Sequence, residues 1–402
     1  MKSPCIEKKH YLFNFILLIY MGLSGMQVYS QKKDKNTSVS TKENNLQSSS
    51  SNKTLSQLPT DFIDVSAVKA YFVIADRFRA HQEPTVQEWT SLFTSPIHTM
   101  MITAGVLDTT KFKHDMQLIY TEGMAKNKTE AKNDAKNVQT DSDLAHHLKY
   151  QKLEKQLLAH ISFLEASSIQ QNIFSYLQPF LPARLLIKDK LPKQYYVFYG
   201  NEDATAGPGM VINDLLLSYK IDRYKLGILS AHETFHAIVS EAFTNLLKND
   251  FSNQDPNAIL LYFLSNVSQE GVADLIDKPA LTQSNSPVLK EMESLTENEI
   301  MLSKSYITKL DSLIQAKSTN IDYNLLFQKF SKHGGHIPGR VMGQAIKQAG
   351  LLPTLIHSIE DPVLFFELYN QAVQKNKSEL PSLSVTSLSY LREIRERYLK
   401  QI

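Results

Sequence analysis

The chain has 402 residues, of which 42% are hydrophobic, 9% aromatic and 21% charged. This composition is typical of a globular protein and excludes a mostly disordered or fibrous chain. The 43 basic residues are spread among 41 acidic ones, for a net charge of +2. Proteins that bind nucleic acid concentrate Lys and Arg on one surface, so we expect no nucleic-acid partner.

The first 30 residues have the layout of a signal peptide. Basic residues precede the apolar stretch Tyr11–Met26, and Val28 and Ser30 suit a cleavage site that leaves Gln31 first in the mature chain. The alternative is a retained transmembrane anchor, but the stretch is shorter than the roughly 20 residues that a spanning helix needs. We therefore expect an exported protein, periplasmic or extracellular. The only cysteine, Cys5, precedes the apolar stretch, so we expect no membrane anchor after signal cleavage.

Two further regions follow the signal peptide. Residues 31–58 are rich in Ser, Asn and Lys and nearly free of aromatic residues, which predicts a disordered tether. Residues 59–402 have the pattern of a folded domain. We divide this domain into a helical N-terminal part, 59–180, and a second part, 181–402, which contains the motifs described below.

The N-terminal part of the domain is predicted to be helical. Apolar residues at helical spacing predict a helix over 66–79. The charge-laced stretch 119–165 predicts a long exposed helix or helix pair. Within it, His146 and His147 are adjacent and point in different directions on a helix, so we expect them to be solvated rather than to share a ligand.

The pattern becomes extended between residues 180 and 220. The run YYVFY at 195–199 and the run MVI at 210–212 flank a turn-rich segment, which predicts a β-hairpin or two neighbouring strands. Helical periodicity then returns, so the fold class is mainly α with a small β-sheet (α+β). The helices predicted after the strands are 222–248, 256–276, 287–316, 322–330, 338–349, 352–375 and 384–400.

A His-Glu-x-x-His motif lies in the helix predicted over 222–248. His232 and His236 stand at positions i and i+4, so both imidazoles can point at one ion. Glu233 lies slightly round the helix, where its carboxylate can reach a water molecule at the metal and act as a general base. The alternative is a chance pattern, but three ionisable groups in an apolar helix would be costly without partners. The motif therefore predicts a zinc site.

A second pair of polar residues at helical spacing follows on the next helix, which Pro256 opens. We expect Glu270 to be the third zinc ligand, and Asp274 to accept a hydrogen bond from the outer nitrogen of His232 and fix its tautomer. The alternative is a pair of exposed acids near a helix end, although their neighbours are mostly apolar. Three protein ligands around one Zn²⁺ ion leave a coordination position for water.

The spacing of these motifs resembles the gluzincin pattern of thermolysin-type and aminopeptidase-type zinc peptidases. The runs AHETFHAI, QEGVADLID and HIPGRVMGQAI are more closely similar to a poorly characterised bacterial family described as zinc-dependent peptidases. The resemblance covers most of the chain after the tether, and only the metal motifs are specific. It implies a zincin-like core in which the HExxH helix and the ExxxD helix hold a water-activating zinc, with a peptide or protein as substrate.

The resemblance also suggests accessory residues. In gluzincins a downstream Tyr or His stabilises the oxyanion, which makes His336 the first candidate here and Arg340 the second. The alternative for His336 is a capping or loop histidine. Peptidases of this type bind extended substrate along the edge of a strand that precedes the motif helix. By analogy, we expect substrate beside the strand 209–213, near Val211 and Asn213.

Together these features predict an exported zinc metallopeptidase with Glu233 as general base. The main alternative is a secreted helical binding or scaffolding protein with a structural metal site. Structural zinc sites usually have four protein ligands and favour Cys, and Glu233 would have no purpose in one. A third possibility is a surface glycan-binding protein, but such bacterial proteins are generally lipid-anchored and the required cysteine is missing.

Overall fold

The structure is a computed structural model that describes residues 62–121, 142–248, 251–252, 255–282, 296–316 and 335–400. The signal peptide and tether predicted over 1–30 and 31–58 lie outside the described residues, as does the helix predicted over 322–330. The division of the folded part at residue 180 stays a prediction.

The described residues are mainly helical and contain one four-stranded sheet, which confirms the predicted α+β class. The elements in chain order are β1 (Ile63–Asp64), α1 (Ser66–Arg79), α2 (Val86–Phe93), α3 (Pro96–Thr103), α4 (Thr109–Thr121), α5 (Ser142–Ala166), α6 (Ile169–Leu177), a 3₁₀ turn (Lys188–Lys190), β2 (Lys193–Val197), β3 (Ala204–Gly207), β4 (Met210–Asp214), α7 (Leu215–Asp222), α8 (Ile228–Leu246), α9 (Pro256–Thr282), α10 (Thr296–Gln315), α11 (His336–Gln348), α12 (Leu352–His357), α13 (Pro362–Lys375) and α14 (Val385–Tyr398).

Several predicted helix boundaries were wrong: the helix predicted over 222–248 begins at Ile228, and the helix predicted over 256–276 continues to Thr282. The helix predicted over 352–375 is interrupted, because the side chain of Asp361 accepts a hydrogen bond from the N–H of Val363 and caps a new helix that begins at Pro362. The helix predicted over 338–349 begins at His336 instead, since Pro338 is tolerated in a first helical turn. His336 is therefore a helical residue and not a loop residue.

The sheet has the strand order β1-β2-β4-β3. The β1–β2 and β2–β4 pairs are parallel, and β3 and β4 form an antiparallel hairpin. β4 is thus an interior strand, and Val211 and Asn213 on it are completely buried. Both residues were expected to lie beside substrate at a strand edge, and this expectation was wrong. The short strand β3 was overlooked because it lies in the glycine-rich segment that the sequence marks as a turn.

His146 and His147 on α5 are both buried, so the prediction that they are solvated was wrong. Each has a polar partner inside the protein, which offsets the cost of burial. His146 Nε2 lies 2.9 Å from Asp214 Oδ2, and His147 Nδ1 lies 2.8 Å from the hydroxyl of Tyr71. The ring of His147 also stacks on Phe198, with 4.1 Å between centroids. α5 therefore closes an aromatic core over the sheet.

Helices α9 and α11 pack backbone against backbone. A Cβ atom at Gly339 would lie 2.4 Å from the carbonyl oxygen of Val267, and one at Gly343 would lie 2.1 Å from that of Gly271. Only glycine fits at these positions. The contact brings the first turn of α11 next to Glu270 on α9.

None of the helices in the described parts of the chain is both long enough and apolar enough to cross a membrane.

Candidate metal centre

The helix that carries the His-Glu-x-x-His motif starts at a fixed point. Its N-cap residue, Gly227, has a left-handed backbone (φ 81) and no capping side chain. Asp222 replaces the cap, because its Oδ1 accepts hydrogen bonds from the N–H groups of Gly227 at 3.1 Å and Leu229 at 3.3 Å. These two hydrogen bonds fix the start of α8. They thereby also fix the position of the first histidine of the motif, one turn further on.

The three predicted zinc ligands converge. His232 Nε2 and His236 Nε2 are 3.2 Å apart, and Glu270 Oε2 lies 3.6 Å from the first and 3.3 Å from the second. A tetrahedral zinc ion with bonds of about 2.0–2.1 Å would hold its ligand atoms roughly 3.3–3.4 Å apart. The spacing of these three atoms therefore fits a zinc ion.

Glu270 Oε2 gives a second test of this fit. The atom is buried and accepts no hydrogen bond from the residues that the structure describes, although three imidazole nitrogens lie within 3.6 Å of it. An unsatisfied buried carboxylate oxygen is costly. A cation among these atoms would remove that cost.

The outer nitrogen of His236 faces an amide oxygen. His236 Nδ1 lies 3.4 Å from Gln269 Oε1, and Gln269 is itself held by Ser240 and Ser265, each at 2.9 Å. A proton on Nδ1 leaves the lone pair of Nε2 free for a metal. Gln269 thus orients His236, a role that the sequence analysis missed.

The outer nitrogen of His232 faces Asp277 and not Asp274. His232 Nδ1 lies 3.4 Å from Asp277 Oδ1. The expected partner was Asp274, one turn after Glu270. The difference arises because the two helices run past each other in opposite directions, so that the earlier histidine on α8 meets a later residue on α9.

Asp274 contacts His336 instead. His336 Nδ1 lies 3.1 and 3.2 Å from the two carboxylate oxygens of Asp274, and 3.0 Å from Glu270 Oε2. Lys278 lies 3.5 Å from Asp274 on the other side. The predicted second carboxylate is thus part of the site, but it positions the histidine of α11 and not that of α8.

A second, overlapping group could also hold a metal. His232, Glu270, Asp274 and His336 offer ligand atoms that all lie within 4.8 Å of one another. In this group Asp274 is already paired with His336 and Lys278. The spacing of His232, His236 and Glu270 fits one tetrahedral ion more closely.

Residues 89–378, well over half of the chain, match the model of a family described as "Putative zinc dependent peptidase (DUF5700)". The chain belongs to this family. The suspected resemblance to a poorly characterised family of zinc-dependent peptidases is thereby confirmed. No curated protein and no solved structure matches the chain.

In this member of the zinc peptidase family, the charged groups of the site shift one another's pKa values. Burial lowers the pKa of His232, but the carboxylates of Asp277 and Glu270 outweigh it and hold the pKa well above its ordinary value. Burial raises the pKa of Glu270, but His336 and His236 outweigh it and hold that pKa well below its usual range. Glu270 is thus ionised, as a metal ligand must be.

Glu233 is half-buried next to His232. Burial raises its pKa, His232 and His236 oppose this rise, and the carboxylates of Glu270 and Asp203 add to it. A carboxyl group whose pKa is raised towards neutrality suits a general base.

A cavity of about 640 Å³ adjoins the metal centre on the side of α11, and Asp274 lies in its wall. Arg340, one helical turn after His336, lines this cavity and pairs with Glu299, with Nη1 3.0 Å from Oε2. Among the predicted site residues, the structure brings together His232, His236, Glu270, Asp274 and His336, whereas Arg340 lies in the neighbouring cavity.

Asp277 and Lys278 were not predicted as site residues. Asp277 stands seven residues after Glu270, two turns along the same helix face, and this spacing was the available signal.

Proposed function

We propose that the protein is an exported, gluzincin-like zinc metallopeptidase that hydrolyses peptide bonds, with Glu233 as general base. One observation carries the proposal: the Nε2 atoms of His232 and His236 converge on Glu270 Oε2, a buried oxygen that has no hydrogen-bond partner in the described residues. The family supports a zinc-dependent peptidase in general. The placement of the ligands on two packed helices supports a zincin-like core.

The residues of the site have separate tasks in this mechanism. A zinc ion held by His232, His236 and Glu270 would supply Lewis acidity and acidify water. Glu233 takes the proton from the attacking water and passes it to the leaving amine. His336, held at Nδ1 by Asp274, presents its other ring nitrogen to the oxygen that gains negative charge.

Strand β3 replaces β4 as the proposed binding edge for the peptide backbone. Within the described residues, β3 pairs only with β4, and it packs against α8, the helix that carries the motif. Its free backbone groups suit an extended peptide that adds a further strand.

A second candidate function is a binding protein with a structural metal. It is favoured by the position of His336, whose Nδ1 lies 3.0 Å from Glu270 Oε2 and could become a fourth protein ligand. A site with four protein ligands would be closed to water. The side chain of His336 is 37% exposed, which supports a role towards substrate instead.

The decisive experiment combines metal analysis with a cleavage screen. The zinc content of the purified protein is measured by mass spectrometry, and a peptide library is incubated with the wild type, Glu233→Gln and Glu241→Gln. Glu241 is an exposed residue of the same helix and serves as the matched control. We expect one zinc per chain in all three, and cleavage by the wild type and the control only.

Other results would contradict the proposed enzymatic function. Cleavage by Glu233→Gln at the wild-type rate would exclude Glu233 as the general base. Retained zinc, no cleavage by the wild type, and loss of zinc in His336→Ala would favour the structural alternative. A protein that binds no zinc would exclude both functions and leave the glycan-binding possibility.

Export is a proposal that rests on the layout of the first 30 residues. N-terminal sequencing of the protein recovered from its natural host is expected to begin at Gln31. A mature chain that retains the apolar stretch would contradict it.

A further inference from the structure

The cavity next to the metal centre contains an arginine whose donors are only partly used. Arg340 Nη1 lies 3.0 and 3.4 Å from the two carboxylate oxygens of Glu299, so a single nitrogen serves both. A guanidinium has five N–H donors on three nitrogens. Within the described residues, Nε and Nη2 of Arg340 have no hydrogen-bond partner. The side chain is 21% exposed, so these donors are open to a ligand that enters the cavity.

Two further cations line the same cavity. Lys278 contacts Asp277 at 3.0 Å and Asp274 at 3.5 Å. Lys304 lies 3.4 Å from Glu379, which is 93% exposed, so this pair contributes little. The cavity wall therefore carries three cations beside three carboxylates, Asp274, Glu299 and Glu379, and the guanidinium is the cation with a planar fork of unused donors.

The cavity is also close enough to the reacting atoms to hold part of a substrate. Its wall includes Asp274, which contacts His336, and His336 contacts Glu270. Arg340 follows His336 by four residues on α11, about 6 Å along the helix axis. An extended peptide advances roughly 3.3–3.6 Å per residue. A group bound by Arg340 would thus lie within a few residues of the scissile bond.

We propose that this cavity, the Arg340 pocket, binds a carboxylate of the substrate through the unused nitrogens of Arg340. This inference rests on the proposed peptidase function and adds a substrate class to it. Carboxylates and guanidinium groups form paired, charge-assisted hydrogen bonds, which are stronger than neutral ones. The carboxylate belongs either to the C-terminus of a peptide or to an Asp or Glu side chain.

Binding is measured with acetylated pentaalanine in two matched pairs. The first pair is the free acid and the carboxamide, and the second is the carboxamide with Glu or with Gln at the central position. The host is the zinc-loaded Glu233→Gln variant, and calorimetry gives each dissociation constant. We expect the acid to bind about 10- to 100-fold more tightly than its matched amide, from the strength of a charged hydrogen bond. A preference for the free C-terminus or for the Glu side chain identifies the source.

Two variants in this background test the residues. Arg340→Gln is expected to abolish the preference. Glu299→Gln is expected to increase it, because the carboxylate that competes for the guanidinium is removed. Lys347→Gln is the matched control, since Lys347 is an exposed cation of the same helix outside the cavity, and should leave the preference unchanged.

Failure of this inference differs from failure of the peptidase function. If acid and amide forms bind equally, if none of the four forms binds, or if Arg340→Gln keeps the preference, the pocket does not recognise a carboxylate. The cleavage screen decides the peptidase function independently. If the screen finds cleavage, the products should come from sites within a few residues of a carboxylate, and a random distribution would contradict the pocket.

Discussion

Replacing Gly343 by alanine tests the contact that places α11 beside the metal centre. The new Cβ would lie 2.1 Å from the carbonyl oxygen of Gly271, whereas real Cβ contacts essentially never fall below 3.0 Å. The two helices must therefore separate by about 0.9 Å at this point. The obstacle is backbone, so no change of side-chain rotamer can relieve it.

The expected magnitude follows from two opposing effects. Alanine in a helix interior is favoured over glycine by about 0.8–1.0 kcal/mol. Overpacking of a tight interface costs typically 1–3 kcal/mol and occasionally more. Because the clash is with main chain, we expect the cost to lie at or above the upper end. Gly343→Ala should thus lower the free energy of unfolding by about 2 kcal/mol or more.

Urea unfolding of the wild type, Gly343→Ala and Lys347→Ala measures this effect. Lys347 is exposed on the same helix, so its variant should stay within about 0.5 kcal/mol of the wild type. The sign is decisive. A Gly343→Ala variant as stable as the wild type, or more stable, would show that helix propensity dominates and that the two helices are not in backbone contact.

Three further predictions concern other parts of the fold. Asp277→Asn should weaken zinc binding by about 10- to 100-fold in a chelator competition, because His232 loses the carboxylate that orients it. Unchanged zinc affinity would refute this role of Asp277. Burial raises the pKa of Asp222 to about 7, so the folded protein keeps a proton that the unfolded chain releases above about pH 4. The stability that this group contributes is therefore lost as pH rises towards 7. In urea unfolding, Asp222→Asn should lose less stability than the wild type between pH 5 and pH 8. Equal losses would contradict this prediction. Asp214→Ala should lower the free energy of unfolding by roughly 3–5 kcal/mol, because His146 and Tyr150 lose a buried charged partner, and calorimetry showing an unchanged melting temperature would exclude it.

The convergence of the three ligands could be predicted because it depends mostly on local spacing. His232 and His236 share a helix face through their separation of four residues, and Glu270 was found from a second acidic motif. The structure brings these side chains together, while zinc binding itself stays a prediction. His336 was found through the family pattern and not through spacing.

The partner of His232 could not be predicted, because it depends on how two helices cross. Asp274 and Asp277 stand on neighbouring parts of one helix, and only the packing of α9 on α8 decides which of them faces the histidine. The burial of His146 was missed for a related reason. Its partner, Asp214, is distant in sequence and comes near only when α5 packs on the sheet.

The elements at the two ends of the described fold limit where the chain can be shortened. β1 and α1 precede residue 89, yet Tyr71 of α1 is completely buried and stacks on Phe198. At the other end, Tyr398 lies beyond residue 378, and its carbonyl oxygen accepts a hydrogen bond from the N–H of Lys248. A fragment trimmed to 89–378 would expose this aromatic interior to water, and we expect it to aggregate. We therefore expect the folding unit to extend at both ends beyond the residues that match the family model.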